Sequence, residues 1–117
     1  MIRTSTRLTR GEVWLVELGP TRGREQTGTR PCVVVSNDDF NQSGYELVLV
    51  VPTTRTRRAS PLHVAIDPPE GGLRFASFVM CEQTRSVSTD RLLERWGAVT
   101  PATLRQIDLR VRRIFEP

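Results

Sequence analysis

Short apolar segments alternate along the chain with polar segments rich in glycine, proline and arginine. Six apolar segments have the length and composition of strands: 12–18, 31–36, 47–51, 62–66, 76–81 and 92–99. Two of them, 31–36 and 47–51, are almost continuously apolar, which is typical of strands buried on both faces. Residues 62–66 alternate and predict a half-buried strand. Several short strands separated by turn signals predict a small twisted antiparallel sheet or barrel.

The polar connections differ in composition. Residues 19–29 form a loop with three glycines, one proline and two arginines, and residues 37–44 leave room for a short helical turn. Pro52 is expected to end the strand before it, because proline has no N–H for a ladder hydrogen bond. Residues 53–61 are then a basic loop, and residues 67–72 are a turn with two prolines and two glycines.

The last segment predicts an amphipathic helix. Thr100 is a suitable N-cap, and Pro101 fits the first helical position. Apolar residues then recur at helical spacing, at Leu104, Ile107, Val111 and Ile114. In the plainer interpretation this stripe packs on the domain's own sheet; in the alternative it binds a partner.

Length and hydropathy indicate one globular domain. At 117 residues the chain can bury one modest core, so oligomerisation would add stability. We assign residues 1–9 to a flexible basic arm and residues 10–117 to the domain. No apolar run approaches the length of a membrane span, and residues 1–10 lack the apolar core of a signal peptide, so we expect a cytoplasmic protein.

The charge is strongly biased toward arginine. The formal charge is +4, and all 17 basic residues are arginine. A GC-rich genome accounts for that bias on its own. A functional interpretation is also open, because arginine binds phosphate through a bidentate fork, and a basic excess on a small domain favours nucleic acid or an acidic protein as partner.

Cysteine and histidine restrict the possible chemistry. Cys32 and Cys81 lie among apolar neighbours and are expected as buried thiols, with a disulfide as the weaker alternative. His63 is the only histidine and lies in a strand, where a structural role is expected. One subunit therefore lacks a two-imidazole acid–base pair. Neither zinc-ligand spacing nor a carboxylate cluster is present, so we predict no metal and no cofactor.

Arginine, glutamate, glutamine and threonine remain as groups for chemistry. Glu25, Gln26 and Arg30 stand at the end of the glycine-rich loop, where a buried strand begins. Rigid polar groups beside a basic loop suit an anionic ligand. Such a set can cleave RNA if the ribose 2′-OH is the nucleophile and guanidinium groups stabilise the pentavalent phosphorus. Arginine is a poor proton carrier, whereas a nearby glutamate could accept the 2′-OH proton.

Three motifs carry a family resemblance. The chain has an RGE-W strand, a G-x-E-Q-x-G-x-R-P loop over residues 23–31, and an apolar strand ending in S-N-D. It resembles the MazF/PemK toxin endoribonucleases of bacterial toxin–antitoxin modules over nearly everything beyond residue 9. The resemblance implies an α+β, mainly β fold: a small SH3-like barrel or twisted antiparallel sheet of the MazF/CcdB toxin type, with a C-terminal helix, in a homodimer.

The resemblance also implies roles for individual residues. Arg30 matches the family's catalytic arginine, and Thr53 matches a threonine that acts with it in some members. Glu25 matches a loop residue implicated in catalysis. The E-Q-x-R motif near residue 85 matches one that lies near the RNA groove. The substrate-binding residues expected on this basis, or from their positive charge, are Arg24, Gln26, Arg55, Arg57, Arg58, Glu82, Gln83 and Arg85.

Each assignment has a structural alternative. Arg30 could form a salt bridge at a strand end, and Thr53 could merely cap that strand. Glu82 and Arg85 could pair with each other on the surface. The arginines of residues 55–58 could be solvated without a ligand. The two tryptophans, at positions 14 and 96, are expected in the core or an interface rather than as platforms for base stacking.

The resemblance implies a sequence-selective, metal-independent endoribonuclease toxin. It would cut single-stranded RNA, whose bases can be splayed out and read, and leave a 2′,3′-cyclic phosphate and a 5′-OH. Its inhibitor would be a small acidic antitoxin. Two alternatives stay open: a non-catalytic toxin of the same fold that poisons DNA gyrase, and a catalytically silent RNA-binding relative.

Overall fold

A computed structural model describes residues 7–20 and 22–117. The strands are β1 Glu12–Glu17, β2 Thr29–Val34, β3 Leu47–Thr54, β4 His63–Ile66, β5 Ser77–Met80, β6 Arg85–Ser88 and β7 Leu92–Ala98. The helices are α1 Asp38–Asn41 and α2 Pro101–Phe115, and single 3-10 turns lie at Glu70–Gly72, Cys81–Gln83 and Thr89–Arg91. Every predicted strand is present, and α1 is the helical turn expected in the connection 37–44.

The strands form one antiparallel sheet in the order β4-β5-β3-β2-β1-β7, with β6 paired to β3. The predicted twisted antiparallel sheet with a C-terminal helix is therefore confirmed, and within the described residues the sheet is not closed into a barrel. Strand β3 has three partners. It pairs with β2 through Val50–Pro52, with β6 through Leu47–Val50, and with β5 through Thr53 and Thr54.

Alternation along the central strands produces two apolar cores on opposite faces of the sheet. Trp14, Cys32 and Val50 belong to one core. Their neighbours Val33 and Val51 belong to the other, against which α2 packs through Ile107, flanked by Leu104 and Val111. Three of the four residues of the helix stripe thus pack on the domain's own sheet, as expected, whereas Ile114 is exposed. Both cysteines are buried free thiols.

Two boundary predictions were wrong. Pro52 does not end its strand: β3 continues through Thr54, so Thr53 lies in a strand and not at the start of a loop. Proline is tolerated because one edge of β3 has no strand partner here among the described residues: β6 pairs with β3 only as far as Val50, and β5 pairs with it only from Thr53. Strand β6 was not predicted, because Val87 is its only buried residue.

The RGE-W motif has a structural explanation. The Glu12 carboxylate is buried and accepts hydrogen bonds from the Thr9 N–H at 2.9 Å, the Trp14 indole N–H at 3.0 Å and the Arg95 Nε at 2.7 Å. Leu8 packs in the first core. Of the predicted arm over 1–9, residues 1–6 lie outside the described residues, and core contacts already begin at Leu8.

Candidate functional site

The site is built where β2 and β3 separate. Register pairing between the two strands stops at Cys32 opposite Pro52, and two side chains make the connection beyond that point. The Arg30 Nη1 donates to the Thr53 carbonyl oxygen at 3.1 Å, and the Thr53 hydroxyl donates to the Pro31 carbonyl oxygen at 2.8 Å. These two bonds connect β2 and β3 beyond their last register pair.

The Arg30 guanidinium is held in a fixed orientation. Its Nε donates to the Thr27 carbonyl oxygen at 3.0 Å, in addition to the bond to Thr53. Two of the five N–H donors are thereby used, and the other three have no partner within residues 7–20 and 22–117 and can donate to a ligand. Thr53 is buried, and its hydroxyl is already engaged. The geometry favours Arg30 as the group that contacts a ligand and Thr53 as the group that positions it.

Arg30 and Thr53 line an open cavity of about 660 Å³. Arg55 and Arg74 line it too, whereas none of its described lining residues is acidic. The full set is Leu15, Thr27, Gly28, Thr29, Arg30, Pro31, Thr53, Thr54, Arg55, Thr56, Leu73, Arg74, Phe75, Ser77 and Trp96. Three guanidinium groups in a wall whose described lining residues include no carboxylate give this concave surface a positive character, which favours a polyanion.

The loop with the E-Q-x-G-x-R-P motif lies beside this cavity and is tied down at both ends. At its neck, the Leu18 N–H donates to the Gly28 carbonyl oxygen at 2.8 Å. At its tip, the Gln83 side-chain amide donates to the Arg24 carbonyl oxygen at 3.1 Å. Glu25 accepts a hydrogen bond from the Arg22 N–H at 3.1 Å. The described lining of the cavity does not include Arg24, Glu25 or Gln26, which lie in this loop beside it.

The E-Q-x-R motif is divided between two environments. Glu82 and Gln83 lie in the 3-10 turn after β5, and Arg85 begins β6. The alternative of a Glu82–Arg85 pair is not what the structure shows, because Glu82 instead contacts His63 Nε2 at 3.0 Å. The His63 side chain is buried in this contact, in agreement with the structural role expected for it.

Arg85 faces away from the first cavity and into a second one. It lines a cavity of about 600 Å³ together with Arg10, Arg112 and Phe115. Its Nη1 is buried and has no hydrogen-bond partner among the described residues. Burial raises the pKa of the Cys32 thiol, and the charges of Arg30 and Arg85 oppose that rise. The structure thus does not bring Arg85 into the wall around Thr53.

Two pairs of arginine and aromatic residues line the first cavity. The Arg55 guanidinium lies 4.3 Å from the centre of the Phe75 ring, and the Arg74 guanidinium lies 4.9 Å from the Trp96 ring. Arg57 is 5.8 Å from the Phe78 ring, outside the cavity wall. Cation–π contacts of this kind hold both partners in place.

Sequence reasoning missed Arg74 and Phe75. The available signal was an arginine and an aromatic residue that directly follow the turn 67–72, before a buried strand. Trp14 lies in the first core and the half-buried Trp96 packs against the second, as expected, and Trp96 also lines the cavity. Arg58 is exposed in the loop that follows β3.

The described residues contain no group of three or more histidine, cysteine, aspartate or glutamate side chains arranged to hold a metal ion. Neither of the two helices found within 7–20 and 22–117 is long and apolar enough to cross a membrane.

Known proteins resemble this chain over most of its length. A family model of PemK-like, MazF-like toxins of type II toxin–antitoxin systems matches residues 9–115. Endoribonuclease MazF9 of Mycobacterium tuberculosis (strain ATCC 25618 / H37Rv) is 40% identical over 104 residues, which cover 85% of this chain and 88% of that protein.

Solved structures agree. An endoribonuclease in complex with its cognate antitoxin, from a mycobacterial species, superposes with a TM-score of 0.78 at 30% identity, covering 94% of this chain and 97% of that one. MazF (form I) of Deinococcus radiodurans gives a TM-score of 0.82 at 20% identity, with the same coverage of both chains. At that identity the second likeness supports the fold alone.

Proposed function

The chain belongs to the PemK-like, MazF-like toxins of type II toxin–antitoxin systems, and on this premise we propose how it cleaves RNA. The protein is an endoribonuclease toxin that a cognate antitoxin inhibits. We propose that it cuts single-stranded RNA through attack of the ribose 2′-OH, without a metal ion. The observation that carries this proposal is the orientation of Arg30, which is fixed by Thr27 and Thr53 in a cavity wall without acidic residues.

In the proposed reaction the 2′-oxygen attacks the adjacent phosphorus. A bond forms between the 2′-oxygen and phosphorus, and the bond from phosphorus to the 5′-oxygen breaks, which leaves a 2′,3′-cyclic phosphate and a 5′-OH. Negative charge grows on the non-bridging oxygens in the transition state. The free N–H groups of Arg30 donate to those oxygens, and their preorganisation lowers the barrier because they need no reorientation.

Protons are transferred by groups other than Arg30, because a guanidinium does not deprotonate near neutral pH. Glu25 is the proposed acceptor of the 2′-OH proton, and solvent returns a proton to the leaving 5′-oxygen. The Glu25 carboxylate lies on the loop that Gln83 tethers through Arg24. A bound strand must therefore pass between this loop and Arg30 for the carboxylate to reach the ribose.

Thr53 is proposed to act by positioning. Its carbonyl oxygen accepts from Arg30, and its hydroxyl holds the Pro31 carbonyl in place on the opposing strand. Both bonds fix the guanidinium relative to the start of β2. Loss of either bond would allow Arg30 to change rotamer, and small displacements of a catalytic group are costly in rate.

Substrate binding is proposed to use the surfaces on both sides of Arg30. The loop residues Arg24 and Gln26 and the exposed arginines of residues 55–58 would contact phosphates and base edges. Gln83 would act through the loop it holds. Glu82 and Arg85 would contact RNA only outside the first cavity, because Glu82 is bonded to His63 and Arg85 lines the second cavity.

The antitoxin is proposed to be acidic and to compete for the same positive surface. We place both proteins in the cytoplasm, where RNA is accessible.

We also propose a homodimer. Helix α2 exposes Leu109, Ile114 and Phe115, and Phe115 lines the second cavity. An apolar patch of this kind at the end of a packed helix is typical of a subunit interface.

The test is incubation of the purified protein with long RNA in EDTA, with both product ends mapped. Cleavage that leaves a 2′,3′-cyclic phosphate and is lost in Arg30→Ala supports the proposal. A folded protein that binds RNA without cutting it would instead match the silent RNA-binding alternative. Inhibition of DNA gyrase without cutting would match the gyrase-poisoning alternative, for which the Arg30 geometry offers no reason.

A further inference from the structure

Phe75 is a large apolar side chain that the fold leaves exposed beside the candidate catalytic group. It is 57% exposed, yet it lines the same cavity as Arg30. The six other exposed large apolar side chains of the described residues lie outside this cavity, on α2, on β7 or at or just before the start of β3. An exposed aromatic ring in a concave, positively charged wall is typical of a recognition site.

The segment that carries Phe75 is rigidly mounted. Leu73 is buried in the second core, and the Ser77 hydroxyl donates to the Phe75 carbonyl oxygen at 2.8 Å. Gly72 packs so tightly on β7 that a Cβ there would lie 2.1 Å from the Trp96 carbonyl oxygen. The ring is therefore held at a fixed place over the cavity, which lowers the entropy lost when a ligand packs against it.

Arg55 covers one face of the ring. Its guanidinium lies 4.3 Å from the ring centre, so the contact orients the ring and places a positive charge behind it. More than half of the side chain is exposed even with Arg55 against the ring, which leaves ring surface open to a second planar group. The described wall of the cavity contains Arg30, Arg55 and Arg74 and no carboxylate, which fits a ligand that combines phosphate with planar rings.

We propose that Phe75 is a stacking platform for one unpaired RNA base next to the scissile phosphate, with Arg55 behind the ring. This inference rests on the proposed function and adds a base-binding subsite to it. Arg30 and Phe75 line one cavity of about 660 Å³, so we expect a nucleotide whose phosphate contacts Arg30 to bring its base to the ring. Because every base has a π-face, this subsite contributes affinity and little sequence preference.

The test begins with a mapped cut site. A short RNA that spans the site is made with 2′-deoxyribose at the attacking position, so that it binds and is not cut. Its affinity is measured for wild type, Phe75→Leu, Phe75→Tyr and the control Leu93→Ala. Leucine keeps an apolar side chain and lacks the ring, whereas tyrosine keeps the ring. Leu93 is exposed on β7 and outside both cavities.

Phe75→Leu should bind the RNA about 5- to 150-fold more weakly, the range expected for loss of one stacked base. Phe75→Tyr and Leu93→Ala should bind like wild type, and the mapped cut sites should be the same in all four proteins. An abasic ribose scanned through positions next to the cut should weaken wild-type binding at one position. At that position Phe75→Leu should show little further loss.

The two proposals fail differently. A wild-type protein that leaves RNA intact overturns the proposed function, and the subsite with it. RNA cleavage with wild-type affinity in Phe75→Leu overturns the subsite alone. So does a Phe75→Leu protein that binds RNA normally and the antitoxin weakly, because Phe75 would then contact a peptide side chain instead of a base.

Discussion

Arg30 and Thr53 hold each other across the point where β2 and β3 separate. The guanidinium donates to the Thr53 carbonyl oxygen at 3.1 Å, while the Thr53 hydroxyl donates to the carbonyl oxygen of Pro31, the next residue after Arg30. Where the β2–β3 ladder stops, these two bonds thus fix the position of a guanidinium group at the edge of a cavity. Pro52 is tolerated inside β3 for a different reason: on the opposite edge of the strand, the pairing with β6 ends at Val50 and the pairing with β5 begins at Thr53.

Cleavage should require the ribose 2′-OH at the cut site and should proceed in EDTA. The proposed nucleophile belongs to the substrate, and the described residues offer no cluster of metal ligands. An oligonucleotide with a single 2′-deoxyribose at the attacking position should stay intact, while the all-ribose control is cut. The readout is gel analysis of end-labelled RNA. Equal cutting of both oligonucleotides would contradict the mechanism.

Arg30→Ala should lower the single-turnover rate by on the order of 10²–10³ with the fold retained, the range seen when one preorganised donor to a transition-state charge is removed. Arg30→Lys should also be slow, because a single ammonium cannot donate to Thr27, Thr53 and phosphate in the planar arrangement of a guanidinium. Circular dichroism checks the fold. A folded Arg30→Ala protein with the wild-type rate would remove Arg30 from the mechanism.

Thr53→Val should destabilise the domain and slow cleavage less than Arg30→Ala does. Valine keeps the shape and removes the hydroxyl, which leaves the Pro31 carbonyl without its donor, at a cost of about 1–3 kcal/mol in the free energy of unfolding. Thr53→Ser, which retains the hydroxyl, is the matched control. Urea unfolding and single-turnover rates are the measurements. A large rate loss without any loss of stability would indicate direct contact with the substrate instead of positioning.

The sequence predicts the arrangement of Arg30 and Thr53 only in part. Arg30 could be placed at a strand start because a glycine-rich loop and an R-P dipeptide precede an apolar run. The extension of β3 past Pro52 could not be predicted, because it depends on a change of partner strand that local propensity does not encode. For the same reason the sequence left open a Glu82–Arg85 pair, whereas Glu82 contacts His63, 19 residues away on β4.

The aromatic part of the cavity was also not predictable. An apolar residue such as Phe75 is expected in a core. It is exposed here because Gly72 packs tightly against β7 and Leu73 takes the buried position. Trp96 was expected in a core or interface, and its place in the cavity wall depends on the same packing. Alternation alone predicts which face of a strand is buried and says nothing of where a loop crosses it.

Replacing Arg55, Arg57 and Arg58 with glutamine should weaken RNA binding and flatten its salt dependence. If each arginine neutralises one phosphate, the slope of log K against log salt should fall by up to about 2 for a single strand. The rate at saturating RNA should change far less than in Arg30→Ala, since these side chains are proposed to contribute to binding and Arg30 to stabilise the transition state. An unchanged slope would show that the loop is solvated and does not contact phosphate.

The apolar end of α2 should pair two copies of the chain. Leu109, Ile114 and Phe115 are all exposed there, and Phe115 lies beside Arg10 and Arg112 in the second cavity. Light scattering should give twice the chain mass at micromolar concentration. Ile114→Asp should give the monomer, because a charge in an apolar interface is desolvated without a partner. Leu93→Asp, which changes an exposed residue on β7, is the control.

An acidic antitoxin segment should compete with RNA for the positive cavity and bind less tightly as salt rises. The wall contains three arginines and no acidic residue among the described residues, so part of the attraction is electrostatic and is screened, whereas apolar contacts persist at high salt. The measurement is displacement of a labelled, 2′-deoxy-substituted RNA by the antitoxin's acidic segment at low and high salt. Arg74→Gln should weaken binding of the acidic segment at low salt and have a smaller effect on that binding at high salt. Simultaneous binding of RNA and segment, without mutual interference, would show that inhibition acts from another surface.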